Sequence, residues 1–380
     1  KYKRYFMQLI KNACVCLDGK MVQTDFTIEN SRFKQISNND ALGLDYSGCN
    51  IFPALWDIHT HGAMGQDFNS ADNFDKIKTI LDFYLAHGVT SILATVMTDD
   101  DDIIKRQLSV VSESAKQNHI IKGIHLEGPF LSIVRRGAHP EKYLQQPSIS
   151  KFIEYQNCAN GMIKYVTLAP ELPGSVELTK YLVAHNVSVT LGHSDASYDE
   201  AMLCVNAGAI GFTHTFNAMR PLEHHNPSII ATALSSSNYC EAILDGKHLH
   251  KNIIKMLYQI KGVDRLIGIT DSLMPAGLIN GEYSLAGTPI IVQDGDCFIK
   301  GTSTRAGSTL NAFQGVYNLA EFANIPLEKA IKCFSLTPAT MLGLDKEFGS
   351  ISEGKYADFI VVKNNELVAT YLEGRLVYSK

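Results

Sequence analysis

No stretch of this chain is apolar for long enough to span a bilayer, so no membrane role is expected. A basic stripe is missing as well. The chain has 34 lysines and arginines against 39 acids, a formal net charge of -5. Proteins that grip nucleic acid or anionic lipid gather positive charge on one face, so neither is expected as a partner. Cysteine pairs at metal-finger or redox spacing are also lacking. The eight cysteines are scattered, with no CxxC. In a chain this large such usage points to reduced, mostly buried thiols, and a cytoplasmic location is expected. Residues 1–10 are basic and aromatic without an apolar run of signal length, so no secretory leader is expected there.

What is present divides into two kinds of pattern. Of the 380 residues 45% are hydrophobic, enough for a large core. The two ends are strand-like, over residues 6–36 and again over 357–378, with turn signals at Asp18-Gly19 and Asn364-Asn365. Neither end has enough strands to be stable alone. Together they are expected to form one small β-sandwich domain, from residues 1–52 and 341–380. The middle, residues 53–340, alternates apolar strand runs with helical periodicity. Candidate strands lie at 54–58, 89–95, 123–126, 165–169, 187–191, 210–213, 240–244 and 266–270. Helical stretches at 74–87, 177–186 and 198–207 fall between them. Eight such repeats predict an α/β fold, a (β/α)8 TIM-type barrel. Turn residues and short β runs at 277–304 predict a hairpin inserted after the eighth strand. Helices at 309–322 and 327–334 would close the barrel. The acidic run Asp99 to Asp102 reads as a helix start, where negative charge meets the positive end of the helix dipole.

The residues that follow the strands carry the chemistry. His59 and His61 follow the first strand, Glu127 the third, His193 the fifth and His214 the sixth. Asp245 and His248 follow the seventh, and Asp271 the eighth. In a barrel all of these reach the C-terminal rim, where active sites sit. In Asp57-Ile58-His59-Thr60-His61 the two imidazoles are two residues apart, so on a strand they face the same side. One histidine alone is as often a hydrogen-bonded core residue, and one HxH is a weak signal. The joint set predicts a metal site of Glu127, His193, His214, His59 and His61, holding one or two divalent ions, zinc or iron. The fourth strand carries Lys164 at its start and ends Leu168-Ala169-Pro170, so a carboxylate shared between two ions would be Glu127. Asp271 is the expected catalytic residue, a base toward a metal-acidified water and then an acid.

Several motifs resemble those of the N-acetylglucosamine-6-phosphate deacetylase family, within the amidohydrolase superfamily. They are Asp57-Ile58-His59-Thr60-His61-Gly62, His125-Leu126-Glu127-Gly128-Pro129-Phe130, Leu191-Gly192-His193-Ser194, and Thr213-His214-Thr215-Phe216-Asn217-Ala218-Met219. Leu244-Asp245-Gly246-Lys247-His248, Thr270-Asp271-Ser272 and Ala306-Gly307-Ser308 extend the match over nearly the whole chain. The resemblance implies removal of acetate from an amino sugar phosphate, by a homodimer. Glu127, His193 and His214 would hold the main ion, and His59 and His61 a second. Ala138 and His139 would meet the acetyl group, with His139 polarising its carbonyl. Asn217 and Ala218 would offer backbone amides to phosphate. Asp245 and His248 would serve the sugar phosphate, and Arg305, Ala306 and Gly307 would border the pocket. One position departs from the pattern. His225 stands where the family usually carries an arginine that reaches the phosphate bound to the neighbouring subunit. The rival readings are a deacetylase for the galactosamine epimer, a hydrolase of cyclic amides or nucleobases on the same metal set, and a non-catalytic sugar-phosphate binder.

Overall fold

A computed structural model describes residues 8–380. Phe6 and Met7, at the strand-like start, lie outside the described residues. Eight parallel strands form the central barrel: Leu55–Thr60, Val89–Met97, Ile121–Glu127, Ile163–Leu168, Ser188–Leu191, Gly211–Phe212, Tyr239–Ile243 and Leu266–Ile269. They stand in sequence order, each hydrogen-bonded to the next, as the eight candidate runs predicted. Every residue of Val89–Met97 is buried, as a strand with helices on one side and a packed lumen on the other requires. Leu93, Tyr165, Ile243, Ile267 and Ile269 come from strands two, four, seven and eight and pack in one cluster across the lumen.

The helices start where capping chemistry allows. Asp100 caps Asp101–Ala115 by accepting from the amide of Asp102, so the acidic run is a helix start as expected. Ser197 and Glu200 form a reciprocal capping box on Tyr198–Asn206. Among the described residues no helix is long and apolar enough to cross a membrane.

The eighth and first strands meet without a regular ladder, and the Asp57 side chain together with isolated backbone hydrogen bonds closes that seam. Buried Asp57 accepts from the Thr270 amide at 3.3 Å and from its hydroxyl at 2.5 Å. The Asp271 amide donates to the His59 carbonyl at 2.9 Å, and the His61 amide to the Ser272 carbonyl at 2.9 Å. The seam therefore fixes the HxH pair beside Asp271.

Strands from both ends make the small β domain. Arg375–Ser379, Glu366–Leu372, Phe359–Lys363, Asn50–Pro53, Gln8–Leu17, Lys20–Glu29 and Arg32–Ile36 follow one another in one continuous sheet, and Leu44–Asp45 pairs with the strand Gln8–Leu17. The sheet curls until its arms face each other. Phe26 meets Phe359 edge-on at 5.3 Å although two strands lie between theirs. The sandwich is thus one folded-over sheet. The insertion after the eighth strand also has more than the expected hairpin. Thr288–Gln293 and Asp296–Ile299 form that hairpin, and Gly281–Leu285 adds a third antiparallel strand.

Candidate metal and substrate site

Five imidazoles converge on one carboxylate. Oε1 of Glu127 lies 3.1 Å from Nε2 of His193, 3.2 Å from that of His214 and 3.3 Å from that of His59. Its Oε2 lies 3.3 Å from Nε2 of His61 and 3.4 Å from that of His139. Asp271 joins from the eighth strand, with Oδ1 3.0 Å from Nε2 of His61 and 3.5 Å from that of His59. All seven residues are buried.

The chain is bent at these positions. His193, His214 and Asp271 have φ of 46°, 30° and 48°, in the left-handed region that side chains other than glycine seldom occupy. Each follows the end of its strand, and the turn brings the side chain over the rim. Such strain persists where surrounding structure over-determines it. At Asp271 the peptide is held on both sides, by the His59 carbonyl and by the Ser308 amide at 2.8 Å. Gly307 is required here, because a Cβ on it would stand 2.9 Å from the Asp271 carbonyl oxygen.

The donor set fits a divalent cation. His193 Nδ1 donates to the Arg135 carbonyl at 2.9 Å, and His59 Nδ1 to Glu241 at 3.2 Å. A neutral ring with its proton on Nδ1 presents a lone pair at Nε2. Both lone pairs then point at a carboxylate oxygen, and Nε2 of His193 also lies 3.0 Å from Nε2 of His214. Acceptors crowded face to face repel unless a cation or protons lie among them. Nε2 of His59 and Nδ1 of His61 and of His214 make no hydrogen bond at all. His59 or His139, with Glu127 and a second histidine, brings three ligand atoms within reach of one ion.

Without a cation among them, the carboxylates favour protons on the same rings. Burial pulls His61 down, yet Asp271 and Glu127 hold it at about 9. His59 goes the same way, well above its ordinary value. Burial would raise Asp271, but His59 and His61 carry it down to about 2. Burial and the charge of His193 take His139 down to about 4, so that ring is neutral.

The cluster opens into a cavity of about 520 Å³. Ala138, His139, Asn217, Ala218, His248, Arg305, Ala306 and Gly307 line it with His61, Glu127, His193, His214 and Asp271. Buried His59 lies behind them. Asp245 does not face the cavity. It stands behind His248, accepting from that ring at 2.7 Å and from the His248 and Lys247 amides at 2.8 Å. Asn217 has its amide turned to the His214 carbonyl at 2.9 Å, and its side chain donates to the same oxygen. His225 is not brought into this cavity. It sits on an exposed loop folded around Glu223, which accepts its amide at 3.0 Å. Two cavity arginines were not among the expected residues. Arg135 pairs with Asp195 at 2.7 Å, and Arg136 pairs loosely with Glu141 at 3.6 Å. Their adjacency in the loop after Glu-Gly-Pro-Phe was the available signal. With Arg305, itself paired with Asp296 at 2.8 Å, they put three guanidinium groups at the mouth, each matched to a carboxylate.

Barrel, rim histidines and the carboxylate among them fit a hydrolase that uses a divalent metal, and the sequence matches the Amidohydrolase family over residues 50–377. The chain is 32% identical over 375 residues to the N-acetylglucosamine-6-phosphate deacetylase of Vibrio furnissii, covering 95% of this chain and 93% of that one. It is 34% identical over 338 residues to the Bacillus subtilis protein of the same name, covering 86% and 84%. The Mycobacterium smegmatis deacetylase, solved as an aspartate-to-alanine variant with N-acetyl-D-glucosamine-6-phosphate, superposes with a TM-score of 0.93 at 28% identity, over 98% of this chain and 100% of that one. The Pasteurella multocida deacetylase gives 0.93 at 27% identity, over 99% and 100%. This chain belongs to the amidohydrolase family and, within it, to the N-acetylglucosamine-6-phosphate deacetylases. Membership implies a divalent metal, for which the buried cluster is the candidate seat.

Proposed function

We propose that this chain hydrolyses the acetamide of N-acetylglucosamine 6-phosphate at the Glu127 cluster, with Asp271 as the catalytic acid and base. The observation that carries this reading is the placement of the Asp271 carboxylate against the histidine cluster, on the wall of a cavity with three arginines at its mouth. Zinc or iron held by Glu127, His193 and His214, with His59 and His61 able to take a second ion, would supply a Lewis acid and an acidified water. Asp271, whose Oδ1 stands 3.0 Å from Nε2 of His61, would take a proton from the attacking water. The protonated Asp271 then gives the proton to the sugar nitrogen. The C–N bond breaks, and acetate and the free amine leave. His139, anchored through Nδ1 to the Thr98 hydroxyl at 2.9 Å, orients the acetyl carbonyl. His248, braced by Asp245, and the arginines of the mouth hold the phosphorylated end. In the homodimer that we expect, His225 would serve the cavity of the second copy.

A substrate comparison tests the specificity. Metal-loaded protein should release acetate from N-acetylglucosamine 6-phosphate with a kcat/KM at least about tenfold above that for the unphosphorylated sugar, the loss expected when an ionic contact of roughly 1.4 kcal/mol disappears. Faster hydrolysis of a cyclic amide than of either sugar would replace this reading with the rival one.

A further inference from the structure

We infer that Glu241 is a positioning residue that sets His59 as a metal ligand, an inference resting on the metal-dependent reading above. Glu241 lies on the seventh strand and is 1% exposed. Three donors converge on it. The Tyr165 hydroxyl donates to Oε1 at 2.5 Å; the His214 amide and His59 Nδ1 both donate to Oε2 at 3.2 Å. A buried carboxylate is tolerated when hydrogen bonds satisfy it, and here strands one and four and the turn after strand six supply them.

The bond to His59 has a consequence beyond packing. A neutral His59 with its proton held on Nδ1 offers the lone pair of Nε2, an atom that has no hydrogen-bond partner. That lone pair faces Glu127 and Asp271. The other four rings are anchored differently. Nδ1 of His193 rests on a carbonyl and that of His139 on a hydroxyl, while His61 and His214 have no partner at Nδ1. Among the described residues of the cluster, His59 alone is backed by a carboxylate. A carboxylate behind a ligating imidazole fixes the tautomer and makes the ring a stronger donor to the ion. Glu241 therefore biases the His59–His61 side of the cluster toward holding a cation of its own.

The test uses full-length protein stripped of metal and titrated with Mn²⁺ alone, with bound manganese counted by mass spectrometry. Glu241→Gln keeps the shape and one acceptor oxygen but removes the charge. It should weaken the ion that depends on His59→Ala by about 10- to 100-fold, the usual effect of losing a partner behind a ligand. It should leave any ion insensitive to His59→Ala unchanged. Glu241→Ala should lose the His59-dependent ion; if it does not fold by circular dichroism, the glutamine variant decides. Wild-type Mn²⁺ count and affinity in Glu241→Gln would overturn the inference. Wild-type protein that binds neither Mn²⁺ nor Zn²⁺ would overturn the metal-dependent reading itself, and this inference with it.

Discussion

Seating an ion on His59 and His61 should expel protons, and the energetic scale follows from the cluster. In the metal-free protein His61 Nε2 lies 3.0 Å from Asp271 and 3.3 Å from Glu127, and these carboxylates hold the ring at about 9 against burial. His59 is raised well above its ordinary value for the same reason. Both rings are held toward the imidazolium form, and a ring that ligates through Nε2 must give up the proton there. For His61 alone the gap between pH 7 and 9 weakens apparent affinity about 100-fold, or about 2.7 kcal/mol at 1.36 kcal/mol per unit. Affinity should therefore rise about tenfold per pH unit for each displaced proton over that range. The stability of the metal-free fold moves the other way. A histidine raised from 6.5 to about 9 contributes fully below 6.5. That contribution, about 3.4 kcal/mol, is lost as pH rises through 9. Zn²⁺ calorimetry at pH 7 in two buffers of different ionisation enthalpy counts the protons. We expect about two, one from each ring, for an ion on this side. Uptake of metal with no proton release would refute the charge assignment.

Other perturbations separate catalysis from stability. Asp271→Asn keeps the shape of the side chain but cannot move the proton, so kcat should fall by about 10²- to 10⁴-fold with KM nearly unchanged; turnover within tenfold of wild type would remove Asp271 from the mechanism. Asp358, buried between barrel and sheet near Lys122, is pushed up to about 6 by burial. Its folded state prefers the neutral acid, so this contribution is fully present below about 3.8 and lost as pH rises through 6, about 3 kcal/mol in all. Asp358→Asn should flatten the pH dependence of urea unfolding between pH 4 and 7; an unchanged profile would contradict the assignment.

The sequence carries the barrel because its strands are short apolar runs at regular spacing, and it carries the rim because chemistry-bearing residues follow those runs. His59, His61, Glu127, His193, His214 and Asp271 are all legible that way. Long-range pairing is not. Nothing local in Tyr239–Ile243 marks Glu241 as the partner of His59 on the first strand, 182 residues away. The curl that brings Phe26 onto Phe359 depends on strand order across the whole chain. Gly281–Leu285 escaped notice because one residue of the five is buried, so it lacks the apolar alternation that marks a strand. His225 was read from motif position alone; its loop turns outward around Glu223, away from the cavity of its own chain.

The most direct test follows one preparation through three states. Acetate release from N-acetylglucosamine 6-phosphate is measured on the metal-loaded protein, again after chelation, and once more after Zn²⁺ or Fe²⁺ is restored. Turnover that disappears with the metal and returns with it is the predicted result. A loaded protein that releases no acetate, or a stripped one that keeps its full rate, would contradict the account.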